Sequence, residues 1–388
     1  MAKDRPPIHK NVYLLGWVSL FTDLSSQMIY PLVPVYLQNL GASTFIIGII
    51  EGVAESIGSF LKVFFGNLSD RLNKRKVFVF LGYGLSSLSK PLLYLANSWP
   101  LVMLLRISDR MGKAIRNPAR DALISHSVES NSRGKAFGIH RGMDRIGAAG
   151  GSLLAVLVLW LTHESIQMVF LFAGIPAFLA LMFIPFVKEN FVRPEGNSAS
   201  KYRSNRKFKF FLLSIIIFTL GNSSNAFLIL KARENGIMIT MIPVLWLVYN
   251  IVASIASPYL GALSDKFGRK ILIQASFIVY TLIYIGFAFS SSELITWLLF
   301  ASYGIYYGLS NGIFKAYIAD QSDSTFRATA YGIFQTATGL ALLPASMIMG
   351  YTWDLFGSEI AFGISAAFSL IGFLIFTISQ LHYEKFKG

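Results

Sequence analysis

Twelve apolar runs, each long enough to cross a lipid bilayer, follow one another along this chain of 388 residues. The runs begin near Val12, Phe45, Val77, Pro100, Gly134, Ile166, Phe208, Ile239, Ile271, Leu294, Ala328 and Ile360. Only 14% of the residues are charged, whereas a soluble protein carries roughly 25%. The sequence therefore predicts an all-α transmembrane protein of twelve helices whose outer surface faces the lipid bilayer.

Basic residues are distributed unevenly among the connections between these runs. They follow the even-numbered runs, as in Arg71–Lys76, Lys266–Lys270 and residues 188–209, while Lys231 and Arg233 are the main exception. Because cytoplasmic loops carry an excess of Lys and Arg, we expect both ends of the chain in the cytoplasm. These loops account for the formal net charge of +14, so this charge does not indicate nucleic-acid binding.

Two segments of the first half recur in the second half. Residues Gly66–Lys76 correspond to Gly261–Lys270, and Arg133–Gly138 correspond to Arg327–Gly332. The two offsets, 195 and 194 residues, agree closely and equal about half the chain length. Internal repeats of this kind are typical of secondary transporters.

The shared offset predicts two six-helix halves, residues 1–187 and residues 210–388, joined by a cytoplasmic linker at residues 188–209. Related halves of this kind enclose a substrate site near the middle of the membrane.

The repeated loop resembles a motif of the major facilitator superfamily of secondary transporters. The pattern G-x-L-x-D-R-x-x-x-R-K is matched throughout Gly66–Lys76, and Asn73 stands where this family usually has glycine. The resemblance covers essentially the whole chain. It implies the fold of that superfamily, alternating access, and a place in a bacterial cytoplasmic (inner) membrane. The residues to which it assigns a gating role are Gly66, Asp70, Arg71 and Arg75, with Gly261, Asp265, Lys266 and Arg269 in the second copy.

The fourth apolar run is unusually basic. At 100° per residue, Arg106, Arg110 and Lys113 fall on one face of a helix that Pro118 is expected to end or bend. A charge at the bilayer centre costs on the order of 3 kcal/mol unless it faces water, a carboxylate or a bound anion. We therefore expect this row to face a cavity and to bind the anionic groups of a small-molecule substrate.

Other polar residues inside the predicted spans are candidates for the same substrate site. Asp23 and Gln27 share one face of the first helix, and Asn222–Asn225 interrupt the seventh. Tyr306 and Asn311 follow one side of the tenth helix. Tyrosines often mark the membrane interface, but these lie well inside their span, which favours a place in the cavity wall.

Carboxylates inside the spans raise the question of proton coupling. Glu51 and Glu55 would either carry protons or serve as counter-charges for the basic row, and both interpretations stay open. Asp23 is a third candidate for carrying protons. His140 and Asp144 form an i, i+4 pair near the predicted cytoplasmic side of the fifth helix. Placement at the membrane interface explains most of this segment, and a gating role for Asp144 or Arg145 is the alternative.

No motif of a soluble enzyme is present. The sequence has no Walker loop, no HExxH motif and no nucleophile elbow, and it contains no cysteine. We therefore expect no enzyme activity, no cofactor and no metal site. The predicted function is secondary transport of a small, anionic organic solute by a monomer, with protons as a further expected partner.

Two alternatives to this function stay open. One is a drug or siderophore permease, for efflux or uptake, with an amphiphilic substrate. The other belongs to a different class and is a membrane-embedded, lipid-handling enzyme.

Overall fold

Helices account for all the regular secondary structure in the computed structural model, which describes residues 9–129, 132–189, 205–322 and 326–385. The first eight helices are α1 (Lys10–Ile29), α2 (Val33–Asn39), α3 (Thr44–Leu72), α4 (Arg75–Leu92), α5 (Trp99–His126), α6 (Arg133–Leu161), α7 (Ile166–Phe172) and α8 (Gly174–Phe183). They are followed by α9 (Arg206–Gly221), α10 (Ala226–Glu234), α11 (Ile242–Phe267), α12 (Arg269–Phe289), α13 (Glu293–Asp320), α14 (Arg327–Phe356) and α15 (Ser358–Lys385).

Three of the predicted spans are each built from two consecutive helices. The first span breaks between Ile29 and Val33, next to Pro31, and the seventh breaks at Asn222–Asn225, as the sequence indicated. The sixth span changes from α7 to α8 at Ala173. With these pairs counted as single spans, the prediction of an all-α protein with twelve transmembrane helices is confirmed.

Nine of the described spans are long and apolar enough to cross a membrane by length and composition alone. The three that fall outside this set are the first span (α1 and α2), α5 and α13. Apart from Asn222–Asn225 of the seventh span, these three spans contain all the candidate substrate residues. The less apolar spans are thus ones in which polar side chains are expected to line a site.

The internal repeat is visible in the helix boundaries. Both α5 and α13 have 28 residues, and they begin at Trp99 and Glu293. Just before the loops, Ser69 and Ser264 each donate a hydrogen bond to the carbonyl of a glycine three residues earlier, at 2.9 and 2.7 Å. Asn73 adopts the left-handed conformation with φ of 51°, as its position in the motif predicted.

The described residues divide into two compact units. Unit 1 lies within Met1–Leu32 and Phe60–Asn197. In it, α6 packs along α1 at Gly147 and Gly151, where a Cβ atom would overlap carbonyl groups of α1. The glycine-rich segment of α6 therefore allows two helix backbones to approach closely.

Unit 2 lies within Val33–Ser59 and Ser198–Gly388. Here the first part of α3 packs against α14, because Gly48 and Gly350 leave room for the facing backbone. The Asp354 carboxylate on α14 caps the start of α3 and accepts hydrogen bonds from the backbone N–H groups of Thr44 and Phe45, both at 2.9 Å. The Thr44 hydroxyl also donates to Asp354.

The predicted boundary between two six-helix halves stays a prediction. Most of the linker, residues 190–204, lies outside the described residues.

Candidate functional site

The row of basic residues lies on α5 in unit 1. This helix continues through Pro118 to His126, so the proline does not end it. Arg106 and Arg110 are buried, and each guanidinium group lies 5.7 Å from the centre of the Tyr30 ring. Cation–π contacts of this kind stabilise a cation in a desolvated position. The structure thus brings two of the three predicted basic residues to one aromatic side chain.

An adjacent side of α5 packs against α4 and carries further charged residues. Arg116 is 3% exposed, donates a hydrogen bond to Ser86 Oγ at 2.7 Å, and lies 4.3 Å from the centre of the Tyr83 ring. Asp109 is 7% exposed and places Oδ2 3.6 Å from Arg110 NH1. Asp109 interacts electrostatically with Lys113 as well. It is therefore the principal counter-charge for the basic row on its own helix.

Asp23 and Gln27, both half-buried, lie on α1 in the same unit. Asp23 interacts electrostatically with Lys113, Arg116 and Asp144. Asp23 is thus within electrostatic range of the basic row, and its role in binding substrate stays a prediction.

A buried lysine on α4 belongs to the same neighbourhood and was missed in the sequence. Lys90 is 3% exposed, donates a hydrogen bond to the carbonyl of Thr22 at 3.3 Å, and interacts electrostatically with Asp109. A lysine inside the apolar third span, directly before Pro91, was the signal that could have found it.

We call this set of residues the charged cluster. Its members are Asp23, Lys90, Arg106, Asp109, Arg110, Lys113, Arg116 and Arg120. Arg120 acts on Asp23 and forms an ion pair with the half-exposed Asp121 at 2.8 Å. Among the described residues of α1, α4 and α5, basic groups in the cluster outnumber carboxylates. A desolvated cluster with excess positive charge attracts anions and forms charge-assisted hydrogen bonds to them.

The corresponding interior of unit 2 is aromatic. Tyr306 is 4% exposed, and its hydroxyl accepts a hydrogen bond from Asn222 at 3.1 Å. The Tyr303 hydroxyl donates a hydrogen bond to Asn225 Oδ1 at 2.8 Å. Two tyrosines of α13 are therefore hydrogen-bonded to residues at the break between α9 and α10. We call the following set the tyrosine cluster: Tyr249, Tyr280, Tyr284, Tyr303, Tyr306 and Tyr307, whose neighbouring rings lie 4.0 to 6.5 Å apart.

Asn311 lies at the exposed edge of this cluster. It is exposed and donates a hydrogen bond to the Tyr307 hydroxyl at 2.8 Å. Tyr306 is thus a packed side chain of unit 2, whereas Asn311 and Tyr307 have more accessible surface.

Glu51 and Glu55 lie on the first part of α3, which is grouped with unit 2. Glu51 is 1% exposed and Glu55 is half-buried. The basic row belongs to unit 1, so the expectation that these glutamates balance its charge stays a prediction.

The first copy of the loop motif forms an ion pair within unit 1. Arg75 donates to Asp70 Oδ1 from Nε at 3.2 Å and from NH2 at 2.9 Å. Glu189 caps the start of α4 by accepting from the backbone N–H of Arg75 at 2.5 Å. Gly66 faces the ring of Pro118 on α5, and Arg71 is exposed. Glu189 is a partner that the sequence analysis did not identify.

The second copy makes a different set of contacts within unit 2. Arg269 lies 3.6 Å from Asp265, forms an ion pair with Asp320, and donates to the carbonyl of Ala316 at 2.5 Å. Lys266 lies over the ring of its neighbour Phe267, and Gly261 faces open space. In both copies, therefore, the arginine at the start of the next helix pairs with the motif aspartate.

Comparison with known proteins agrees with this architecture. The sequence matches the family profile of the Major Facilitator Superfamily over residues 15–230 and 210–385. It is 40% identical to an uncharacterised transporter of this superfamily from Methanocaldococcus jannaschii, with 95% of this chain and 94% of the relative covered. It is 24% identical to the multidrug resistance protein MdtG of Klebsiella pneumoniae, covering 76% and 75% of the two chains.

Solved structures show the same fold at low sequence identity. A bacterial homologue of the human lysosomal transporter Spinster superposes with a TM-score of 0.79 at 14% identity, and 97% of each chain is covered. The family match and these relatives identify an integral membrane transporter of small molecules rather than an enzyme. With profile, relative and fold in agreement over nearly its full length, this chain belongs to the major facilitator superfamily.

Proposed function

We propose that the protein transports a small organic anion across the cytoplasmic membrane by alternating access. The observation that carries this proposal is the charged cluster of unit 1, in which Arg106, Arg110 and Arg116 are each 5% exposed or less. Buried cations in a membrane protein are costly unless they are paired or bind an anion. An anionic substrate would place a negative charge among these buried cations.

Lys113 is the residue on which we place direct contact with the anionic group. It is half-buried, whereas Arg110 lies against the Tyr30 ring and beside Asp109, and Arg116 lies over the Tyr83 ring and donates to Ser86. An ammonium group on a flexible chain adapts to a bound anion more readily than a guanidinium already engaged on both sides.

Polar and aromatic side chains of the protein are proposed to contact the uncharged part of the substrate. The sequence assigns its hydrogen bonds to Gln27, Tyr306 and Asn311, which carry amide and hydroxyl groups. The tyrosine cluster favours a substrate with a planar or apolar portion, because aromatic side chains bind such groups well. This observation also supports the second candidate, an amphiphilic compound with an anionic head.

Proton coupling would supply the driving force for uptake. Moving an anion into a negative-inside compartment costs about 2.3 kcal/mol per charge per 100 mV. Co-transported protons would offset this cost, and Asp23, Glu51 and Glu55 are the carboxylates proposed to carry them. The loop aspartates Asp70 and Asp265 are proposed to control the exchange between inward-open and outward-open states.

The proposed orientation places both ends of the chain in the cytoplasm, because Lys and Arg are concentrated in the loops assigned to that side. We also propose that the protein acts as a monomer. A cysteine introduced as Ser200→Cys would then remain unlabelled by a membrane-impermeant thiol reagent added to intact cells. Strong labelling would reverse the orientation.

A ligand screen tests the substrate class. Purified protein is heated in the presence of carboxylates, organic phosphates, anionic amphiphiles and their uncharged analogues, since a bound ligand raises the unfolding temperature. We expect stabilisation by anions and not by their neutral analogues. Stabilisation by amphiphiles alone, with or without charge, would favour the second candidate.

A matched pair of variants tests the role of Lys113. Lys113→Gln should weaken anion binding about tenfold or more, because hydrogen bonds to charged groups contribute about 1.5–3 kcal/mol. The control, Arg133→Gln, removes an exposed charge at the start of α6 and should leave binding unchanged. If an analogue without its charge loses as much affinity as the anion, Lys113 has a structural role.

A further inference from the structure

A cavity of about 780 Å³ lies at the end of unit 1 where α1 and α4 begin. It is lined by residues from three parts of the chain, namely residues 9–11, Lys76 and residues 185–189, which follow α8. Its volume is within the range of about 300–1,000 Å³ that is usual for the binding sites of small organic ligands. All of the lining residues belong to unit 1, and none belongs to the charged cluster.

The lining of this cavity is positively charged. Lys10, Lys76 and Lys188 contribute three ammonium groups, and Glu189 contributes the only carboxylate among the described lining residues. That carboxylate is already engaged, because it accepts hydrogen bonds from the backbone N–H groups of Arg75 and Lys76 at 2.5 and 3.3 Å. The excess of positive charge attracts an anion from outside the protein.

His9 adds a neutral hydrogen-bond donor to the same cavity. Its Nδ1 accepts a hydrogen bond from the backbone N–H of Asn11 at 3.2 Å. In the neutral ring the hydrogen is then carried by Nε2, which is able to donate to a ligand. An imidazole N–H and three ammonium groups are donors that suit the oxygens of a phosphate group.

Hydrogen bonds fix the backbone that carries these lysines. Asn11 is 2% exposed, and its side chain donates to the carbonyl of Lys188 at 2.7 Å and to Ser127 Oγ at 2.9 Å. The same side chain accepts from the backbone N–H of Lys188 at 3.0 Å. Lys76 Nζ donates to the carbonyl of Pro185 at 2.6 Å, and an ammonium group has further N–H donors for a ligand. The three parts of the lining are thus held together before a ligand binds, which favours affinity.

Three aromatic rings, which we call the aromatic strip, continue from the cavity along the surface of unit 1. Trp17, Phe21 and Phe183 stack between α1 and α8, with ring centres 5.7 to 6.3 Å apart. Phe183 ends α8 two residues before the segment that lines the cavity. Lys10 and Trp17 are seven residues apart and therefore share one face of α1, about 10 Å apart along its axis.

The exposed side of this strip faces away from the candidate substrate residue of α1. Trp17 is 43% exposed and lies about 120° around the helix from Asp23. Exposed tryptophans near the ends of transmembrane helices lie at the level where lipid head groups meet acyl chains. The strip therefore offers an apolar surface to lipid directly beside a basic cavity.

We propose that the cavity binds the head group of an anionic phospholipid, with an acyl chain of this lipid lying along the aromatic strip. Lys10, Lys76 and Lys188 bind the phosphate oxygens through charge-assisted hydrogen bonds. A lipid occupies both the cavity and the strip, whereas a soluble anion occupies the cavity alone. The site is separate from the substrate site proposed at Lys113, so either proposal can fail without the other.

Native mass spectrometry of the purified full-length protein tests the head-group site, with phosphatidylglycerol as the probe and phosphatidylcholine as the lipid without net charge. The double variant Lys10→Gln/Lys188→Gln should weaken binding of phosphatidylglycerol about tenfold or more, because each lysine near a membrane surface strengthens the attraction of anionic lipid several-fold. The control Lys74→Gln/Lys135→Gln removes two exposed charges of the same unit that do not line the cavity and should leave binding unchanged. Equal affinities of the two double variants, or equal binding of both lipids by the wild type, would overturn the proposal.

A second pair of variants separates a lipid from a soluble anion. Trp17→Ala should weaken phosphatidylglycerol binding several-fold, because it removes apolar contact with the acyl chain. The control Trp160→Ala, at a tryptophan of α6 that is 72% exposed, should leave it unchanged. Glycerol 3-phosphate should displace little of the bound lipid, and complete displacement at a concentration equal to that of the lipid would show a site for soluble anions instead. Lys113→Gln should bind phosphatidylglycerol as the wild type does, which keeps this test apart from that of the substrate site.

Discussion

The charged cluster of unit 1 and the tyrosine cluster of unit 2 occupy helices that repeat along the chain. At the offset of 194 residues between α5 and α13, Asp109 corresponds to Tyr303 and Lys113 corresponds to Tyr307. The helix length and the serine before each loop are retained, but the interior chemistry is different. The comparison teaches that the repeat preserves the scaffold, while each unit has its own means of stabilising its interior.

The two interiors respond differently to the loss of one group. In unit 1, buried charges depend on each other, so removing one leaves others uncompensated. In unit 2, each tyrosine contributes a neutral hydrogen bond and ring contacts, which are lost one at a time.

Removal of the counter-charge Asp109 should have the largest effect on stability. Asp109→Asn is expected to lower the free energy of unfolding by about 3–5 kcal/mol, because removing one charge of a buried ion pair leaves the opposite charge buried with less compensation. SDS-induced unfolding of the detergent-solubilised protein measures this loss. Asp121→Asn, in an exposed ion pair, should cost less than about 1 kcal/mol, and equal losses in the two variants would contradict the comparison.

Replacement of a buried arginine by lysine in unit 1 should have the next largest effect. Arg116→Lys removes the contact with the Tyr83 ring and the present geometry toward Ser86, so we expect a loss of about 2 kcal/mol. The same unfolding assay applies. Arg141→Lys, on the exposed side of α6, serves as the control and should be neutral; a neutral Arg116→Lys would show that charge alone matters.

The position in unit 2 that corresponds to Asp109 should be more tolerant of substitution. Tyr303→Phe loses one neutral hydrogen bond to Asn225 and keeps the ring, so the expected loss is about 1 kcal/mol. Tyr259→Phe, at a side chain that is 74% exposed, is the control. A loss as large as that of Asp109→Asn would remove the distinction between the two interiors.

The serines before the two loops should give the smallest and most similar effects. Ser69→Ala and Ser264→Ala each remove one hydrogen bond to a glycine carbonyl, with an expected loss of about 0.5 kcal/mol. Thermal unfolding of both variants side by side measures the difference. Clearly unequal losses would show that the loops, like the interiors, have diverged between the units.

Much of the fold was predictable because its signals are local. Apolar run length, the breaks near Pro31 and at Asn222–Asn225, and the repeat offset all follow from residues close in sequence. The row of Arg106 and Arg110 was predictable for the same reason, since helical spacing determines which residues share a face.

The missed elements depend on partners that are distant in sequence. Asp354 caps α3 across 310 positions, and Glu189 caps α4 across 114. The hydrogen bond from Lys90 to the carbonyl of Thr22 likewise depends on how α4 packs on α1. Pro118 does not end α5, because packing overrides a local preference, and the alternative that it bends the helix stays a prediction.

The buried lysine of α10 has a consequence for the packing of its neighbouring helices. Lys231 and Arg233 break the loop-charge pattern of the sequence, but Lys231 Nζ lies 3.0 Å from Glu234 Oε1 and 2.9 Å from Ser358 Oγ. Because Lys231 and Glu234 belong to one helix, their ion pair forms as soon as that helix folds, before its partner helices arrive. When the partner helices then pack around α10, the Lys231 ammonium is already paired and its burial costs less free energy than that of an isolated charge.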